Sequence, residues 1–357
     1  MQMEYTTLDK ISENLDSKRK PITSSDRVEG KIPYYGASGI VDYVKDYIFD
    51  ESLLLVSEDG ANLLARSTPI AFSVTGKTWI NNHAHVLRFS NENLQKFVEI
   101  YLNSISLESY VTGSAQPKLN QKMLNGIPIP VVDDSQIEII VNSVENLKSI
   151  IEFRKQELAC LDDLIKARFV EMFGSIYDNK YGYNVMTLQD VCEPIKDGTH
   201  QTPTYTEDTV NGFKFLSSKD VTSGKVDWDH LKYIPEELHN ELYKRISPRK
   251  GDILLAKNGT TGVAAIVDRD EVFDIYVSLA LLKPLEMVTA EYLCSAVNSL
   301  ETKHQFDHSL KGIGVPNLHL GEIKKTKIIV PPIELQKQFA DFVHQVDKSK
   351  VVVASVK

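Results

Sequence analysis

From Ser135 to about Phe173, apolar side chains return every seven residues: Ile137, Val144, Ile151, Leu158, Ile165 and Met172. Ile140, Leu147 and Leu161 fill intermediate positions, with Arg154 and Arg168 interrupting that second line, and no Gly or Pro breaks the run. An apolar heptad held this long predicts a helix with a partner helix along the same seam. At 1.5 Å per residue it would span roughly 55–60 Å and act as a strut. One long core helix of a globular domain is the alternative reading, but such helices rarely exceed about 25 residues.

The segments before and after this helix carry the same ordered pattern. Each opens on a short amphipathic stretch, Thr7–Ile11 and Thr187–Val191. A glycine with an apolar-aromatic run follows, Gly30–Tyr35 and Gly212–Leu216. A strand-like apolar run then ends in a polar Gly turn, Leu53–Gly60 and Ile253–Gly259. Short strands are predicted at Ile70–Val74 and Val86–Phe89 in one half, and at Val263–Val267 and Tyr276–Leu282 in the other. One amphipathic helix follows in each, carried by Leu94, Phe97, Val98, Tyr101, Leu102 and Ile105, or by Tyr292, Leu293, Ala296, Val297 and Leu300. Each half closes with a polar Gly loop, 113–120 and 312–319, then a Pro-bearing strand, 127–130 and 328–332, and then a helix.

Matched positions lie about 180 to 201 residues apart. Repeats of that size are duplicated domains and not solenoid units. The expected fold is α+β: two similar domains separated by long helices that pair as an antiparallel coiled coil, a pseudo-twofold internal repeat. The expected boundaries are 1–134 and 178–332 for the globules, 135–177 for the central helix and 333–357 for a short C-terminal helix. Leu335, Phe339, Phe342 and Val346 should supply that helix's side of the seam, against Ile137, Val144, Ile151, Leu158 and Ile165.

Composition refines this picture. With 357 residues, 42% hydrophobic and 25% charged, the chain fits a folded protein of two or three domains. Cys160, Cys192 and Cys294 lack metal-ligand spacing, so a reducing, cytoplasmic setting is expected. The first residues have no apolar signal segment, and no uncharged apolar run approaches membrane-spanning length. The net charge of −9 weighs against nucleic-acid binding, although a basic groove can coexist with an acidic outer face.

No catalytic constellation emerges, and neither catalytic nor metal residues are assigned. Gly76-Lys77-Thr78 resembles the end of a phosphate loop, but Ala71 stands where its first glycine belongs and no helix follows. Val330-Pro331-Pro332-Ile333 lacks both the polar first and the aromatic last residue of an adenine-methylating tetrapeptide. Asp307, Glu322 and Lys324 have nuclease residue types without a counterpart in the first half. His304 and His308, flanked by Lys303 and Asp307, read as solvated. A duplicated chain without chemistry more naturally recognises something. Its outward loops hold Lys118, Asn120, Gln121 and Lys122 in one half, and Lys219, Lys257, Asn258, Thr260, Thr261, Lys311, Asn317 and His319 in the other. Lys and amide groups suit phosphate and base-edge contacts. Lys77, Thr199 and His200 are secondary candidates.

The ordered pair of Leu53-Leu54-Leu55…Asp59-Gly60-Ala61-Asn62 and Asp252–Gly259 strands, the Pro117–Asn120 and Pro316–His319 loops, and the Pro-strand-to-helix junctions Ile129-Pro130…Gln136 and Val330–Gln338 resemble the specificity subunit of type I restriction-modification systems. The resemblance covers nearly the whole chain. It implies two target-recognition domains, each reading half of a split site in double-stranded DNA, with the paired helices fixing the gap. It implies two docked modification (methyltransferase) subunits that carry S-adenosylmethionine and the adenine-N6 chemistry, and a restriction subunit with ATP and Mg if one is present. This chain itself would hold no cofactor. The helix from Ile333 is much shorter than the first, whereas in the family the two are usually closer in length; either the second helix is truncated or the pairing along the distal seam is partial. A recognition subunit of a type II-like enzyme and a coiled-coil protein scaffold are the competing readings.

Overall fold

The apolar runs on either side of the long helix fold into matching sets of sheets, with one strand fewer described in the second unit. The computed structural model describes residues 4–113, 116–309 and 317–355. It divides into two compact units, Met1–Glu152 and Phe153–Lys357, which share the long helix.

In the first unit, Tyr5–Thr7 pairs antiparallel with the Pro-bearing strand Pro128–Pro130. A four-stranded antiparallel sheet follows in the order Ser12–Asn14, Ala84–Phe89, Leu53–Ser57, Ala71–Val74. Every residue of Leu53–Ser57 is buried, which is why its sequence reads as an unbroken apolar run and not as an alternation. A second sheet runs Gly39–Val44, Glu29–Gly36, Lys77–Ile80, Phe49–Asp50, with Glu29–Gly36 and Lys77–Ile80 parallel. The helix Glu92–Ser104 lays Phe97, Val98 and Leu102 on the first sheet's core.

The second unit repeats this wiring. Asn184–Thr187 pairs with Lys327–Val330. The antiparallel sheet runs Lys196–Asp197, Leu279–Leu282, Ile253–Ala256, Ala264–Ile266. The third sheet is Lys232–Ile234, Phe213–Leu216, Phe273–Ile275, again with one parallel pair. A small device is copied as well. Asn103, near the end of the first unit's helix, accepts from the Ile70 and Ala71 amides and donates to Ala71 O. Asn298, just past Ala290–Val297, accepts from the Ala264 amide and donates to Ala264 O. Each amide satisfies backbone groups on an edge strand that has no further neighbour. The helix Glu236–Arg245 has no counterpart among the described residues of the first unit.

The long helix runs Asp134–Phe173. Asp133 Oδ1 accepts from the Gln136 amide at its start, and Gly174, at φ +74°, stops it. Its ends are buried. Ile137 and Val141 join the first unit's core, while Phe169 and Phe173 join the second's. There the closing helix Ile333–Ser355 packs Phe339 edge-on against both phenylalanines, at 5.6 and 5.5 Å between centroids. Ile165 and Leu335 flank this cluster, Val346 is buried, and Lys350 meets Asp162 at 2.7 Å. Phe342 lies under the Arg168 guanidinium, so that interruption of the heptad is itself a packing contact.

The seam candidates are not buried alike. Val144 and Leu158 are only half-buried, and Ile151 is 55% exposed. Leu147 and Ile150 are exposed beside Ile151. Among the described residues these side chains leave an apolar stripe exposed in mid-helix.

The Pro-strand-to-helix junction is held by Gln336, which is fully buried. Its Nε2 donates to Pro331 O and Met287 O, and its Oε1 accepts from the Thr289 amide. A buried amide with these partners fixes the angle at which the strand turns into the helix.

A candidate nucleic-acid interface

In each half, the turn after the central buried strand is stitched to the polar loop that precedes the Pro-bearing strand. In the first, Asp59 bridges Lys118, and the Leu119 amide donates to Glu58 O at 2.8 Å. In the second, Asn258 bridges Asn317, and the Leu318 amide donates to Lys257 O at 2.8 Å. Two polar segments distant in sequence thus form one edge, twice over.

Beneath each edge lies a charged knot. In the first half, Asp16 sits at the end of Ser12–Asn14. Its Oδ2 is 2.5 Å from His85 Nδ1, and its Oδ1 accepts from the Val86 amide. His85 Nε2 lies 2.7 Å from Leu119 O. Glu58 takes Arg19 at 2.6 Å and Lys118 at 3.1 Å. Burial pushes the Asp16 and Glu58 carboxyls up. For Asp16 this is outweighed by the His85 bond and charge, and for Glu58 chiefly by the Arg19 bond and the His85 charge, so both end below the ordinary carboxylate range. Asp16, Glu58 and His85 are near enough to one another to embrace a cation, but Arg19 and Lys118 already supply that charge. We assign no ion there.

In the second half, strand register places Asp197 where Asp16 stands, Lys257 where Glu58 stands and Ala280 where His85 stands. Lys257, 6% exposed, donates to Asp197 Oδ2 at 2.7 Å, and His200 lies 3.3 Å from the same oxygen. Arg245 donates to the Asp197 and Gly198 carbonyls at 2.6 Å each. Burial raises the Asp197 carboxyl, and the Lys257 bond and charge more than reverse it.

The sequence candidates divide accordingly. Lys118, Gln121 and Lys122 are exposed on the first edge, and Thr260, His319 and His200 on the second, with Thr199, Thr261, Asn258 and Asn317 half-buried. Lys219 is exposed on the turn Ser218–Val221. Two candidates have internal work instead. Lys257 is buried in its ion pair, and Asn120 caps the helix Gln121–Asn125 by accepting from the Met123 amide. Lys77 stands apart, on a strand of the other sheet over the Tyr47 ring at 4.6 Å. Lys311 lies outside the described residues. Sequence reasoning missed Asp16, Arg19, Glu58, His85, Asp197 and Arg245. One signal was present: an acid followed three residues later by a base or imidazole, Asp16–Arg19 and Asp197–His200, at matching places in the repeat.

Among the described residues, no helix is long and apolar enough to cross a membrane. The model of the type I restriction modification DNA specificity domain matches residues 2–162 and again 180–352. A putative type I restriction enzyme specificity subunit of Haemophilus influenzae is 28% identical over 368 residues, covering 99% of this chain and 89% of the relative. A type I restriction enzyme specificity subunit of Methanocaldococcus jannaschii is 23% identical, covering 93% and 83%. The crystal structure of a type I restriction-modification S subunit from M. genitalium matches with a TM-score of 0.56 at 14% identity, covering 99% of this chain and 91% of that one. A structure from work on assembly and conformational transition of the type I system gives 0.59 at 14%, covering 98% and 91%.

Proposed function

The chain belongs to the type I restriction modification DNA specificity family, and we propose that it acts as the specificity subunit of such a complex, each globule reading one half of a bipartite DNA site. The observation that carries this reading is the duplicated edge: the same two segments joined at the same register in both halves, with different side chains presented. Like edges with unlike faces are what two half-sites of different sequence require. We assign the recognition domains to 1–134 and 178–332.

Lys118 and Lys122 in the first half, and Lys219 with His200 in the second, are placed to meet phosphates. Gln121, Thr260 and His319 are placed to meet base edges. The charge of −9 is compatible with this, because the acids of both knots are paired within the globules.

The uninterrupted helix Asp134–Phe173 sets the gap between half-sites. Its bare stripe at Leu147, Ile150 and Ile151 is where modification subunits dock; exposed apolar stripes of this kind mark protein contacts. Those partners supply the S-adenosylmethionine and the adenine-N6 transfer, and a restriction subunit, where present, the ATP and Mg chemistry. This chain orders and deforms the DNA so that the target base can be extruded, in the cytoplasm where the DNA lies.

The test is N6-methyladenine mapping by long-read sequencing, in cells with and without this gene and with the neighbouring methyltransferase expressed. Loss of methylation at one split motif is the expected result. Unchanged methylation with both proteins present would overturn the reading.

A further inference from the structure

We propose that Asp16 and Asp197 are equivalent positioning residues, each holding the loop at its own globule's edge, Asp16 through His85 and Asp197 through Lys257. The assignment of these edges to DNA rests on the function proposed above; the positioning itself does not.

The connection in the first half passes through both nitrogens of one ring. Nδ1 faces the Asp16 carboxylate at 2.5 Å and Nε2 faces the Leu119 carbonyl at 2.7 Å. A backbone carbonyl only accepts, and an ionised carboxylate only accepts. Both ring nitrogens must therefore donate, so the side chain that ties Leu119 to the sheet is an imidazolium. His85 is almost fully buried, and such a cation is tolerated only with compensating charge. Asp16 supplies it directly and Glu58, 3.9 Å away, supplies more, while Arg19 and Lys118 balance Glu58. Among the described residues, the charged groups around the ring are these four, from the turn at Asp16, the end of Leu53–Ser57 and the loop at Lys118.

The second half reaches the same end with different chemistry. At the position of His85 it has Ala280, and at the position of Glu58 it has Lys257. The Lys257 ammonium grips Asp197, while its own backbone carbonyl receives the Leu318 amide. An ammonium donates without a tautomer choice. The first loop's anchor therefore depends on an extra proton on a ring, and the second loop's does not.

The test uses the full chain. Long-range 15N NMR of histidine-labelled protein, with His85→Gln to assign the signal, reads the protons on the ring. Hydrogen exchange by mass spectrometry, corrected for intrinsic rates, reads the segments 116–125 and 317–325 at about pH 6.5. Both His85 nitrogens should appear as N–H. Exchange in 116–125 should rise by about tenfold or more in His85→Gln and Asp16→Asn, with 317–325 unchanged. Asp197→Asn should do the converse. A neutral His85, or unchanged protection of 116–125 in both variants, overturns the proposal. Should a variant not fold, the wild-type spectrum decides. A loosened first loop with an unchanged methylation motif would uphold the positioning while counting against base reading by this edge.

Discussion

Phe339→Ala should unlock the closing helix far more than any loss of charge along the same seam. Phe339 is fully buried and meets Phe169 and Phe173 edge-on at 5.6 and 5.5 Å. Truncating a buried Phe costs about 3–5 kcal/mol through lost transfer and the cavity left behind. The two ring contacts, at about 0.5–1.5 kcal/mol each, place this site at the upper part of that range. The ion pair Lys350–Asp162 lies on the same helix pair at 2.7 Å, but Asp162 is 61% exposed. Lys350→Ala should therefore cost under about 1 kcal/mol. Packing, not charge, should hold the seam. For a unit of this size, a loss of about 4 kcal/mol lowers Tm by roughly 8–16 °C. Because the chain has two units, a single melting curve is not a two-state measurement. Hydrogen exchange in 165–173 and 290–297 reports on the second unit, and the buried strand Leu53–Ser57 provides the control in the first. A cost below about 1 kcal/mol, equality with Lys350→Ala, or equal loosening of Leu53–Ser57 would refute the reasoning.

Gln336→Leu leaves Pro331 O, Met287 O and the Thr289 amide without their partner, so it should cost about 2–3 kcal/mol, read by urea unfolding of the second unit. Asp197 has a carboxyl held below its ordinary value of 3.8. A depressed acid contributes stability that is fully present above the unfolded value and is lost as pH falls through the folded one. Asp197→Asn should therefore flatten the acid limb of stability below about pH 4 and lower stability at neutral pH; an unchanged acid limb would contradict the pairing with Lys257. Thiol titration of the native chain should label Cys160, which is exposed, and spare Cys192 and Cys294, whose burial pushes both thiols up to about 12. Rapid labelling of all three without denaturant would argue against the second unit's core. Leu147→Ser and Ile151→Ser should shift the isolated chain's stability by under about 0.5 kcal/mol while weakening pull-down of the methyltransferase; a large stability loss would mean that the stripe is already covered.

The heptad from Ile137 to Met172 determined a long helix, because no Gly or Pro interrupts it and its apolar positions return at a helical spacing. The ordered repeat determined two like globules, and the strand pairings follow it down to the Pro-bearing strands. Tertiary structure decided what periodicity cannot carry. Ile151 fits the heptad and is nonetheless exposed, because spacing marks a face but not what packs against it. Lys257 and Asn120 read from the sequence as outward-loop candidates for DNA contact, and only folding brought Asp197 and the Met123 amide within reach of them. The knots themselves join strands and loops dozens of residues apart, and charge pairing of that kind leaves no period in the chain. His85 is the sharpest case: its sequence neighbours indicate a buried strand, whereas its role follows from two acceptors, at Asp16 and Leu119, that meet across it only in the folded sheet.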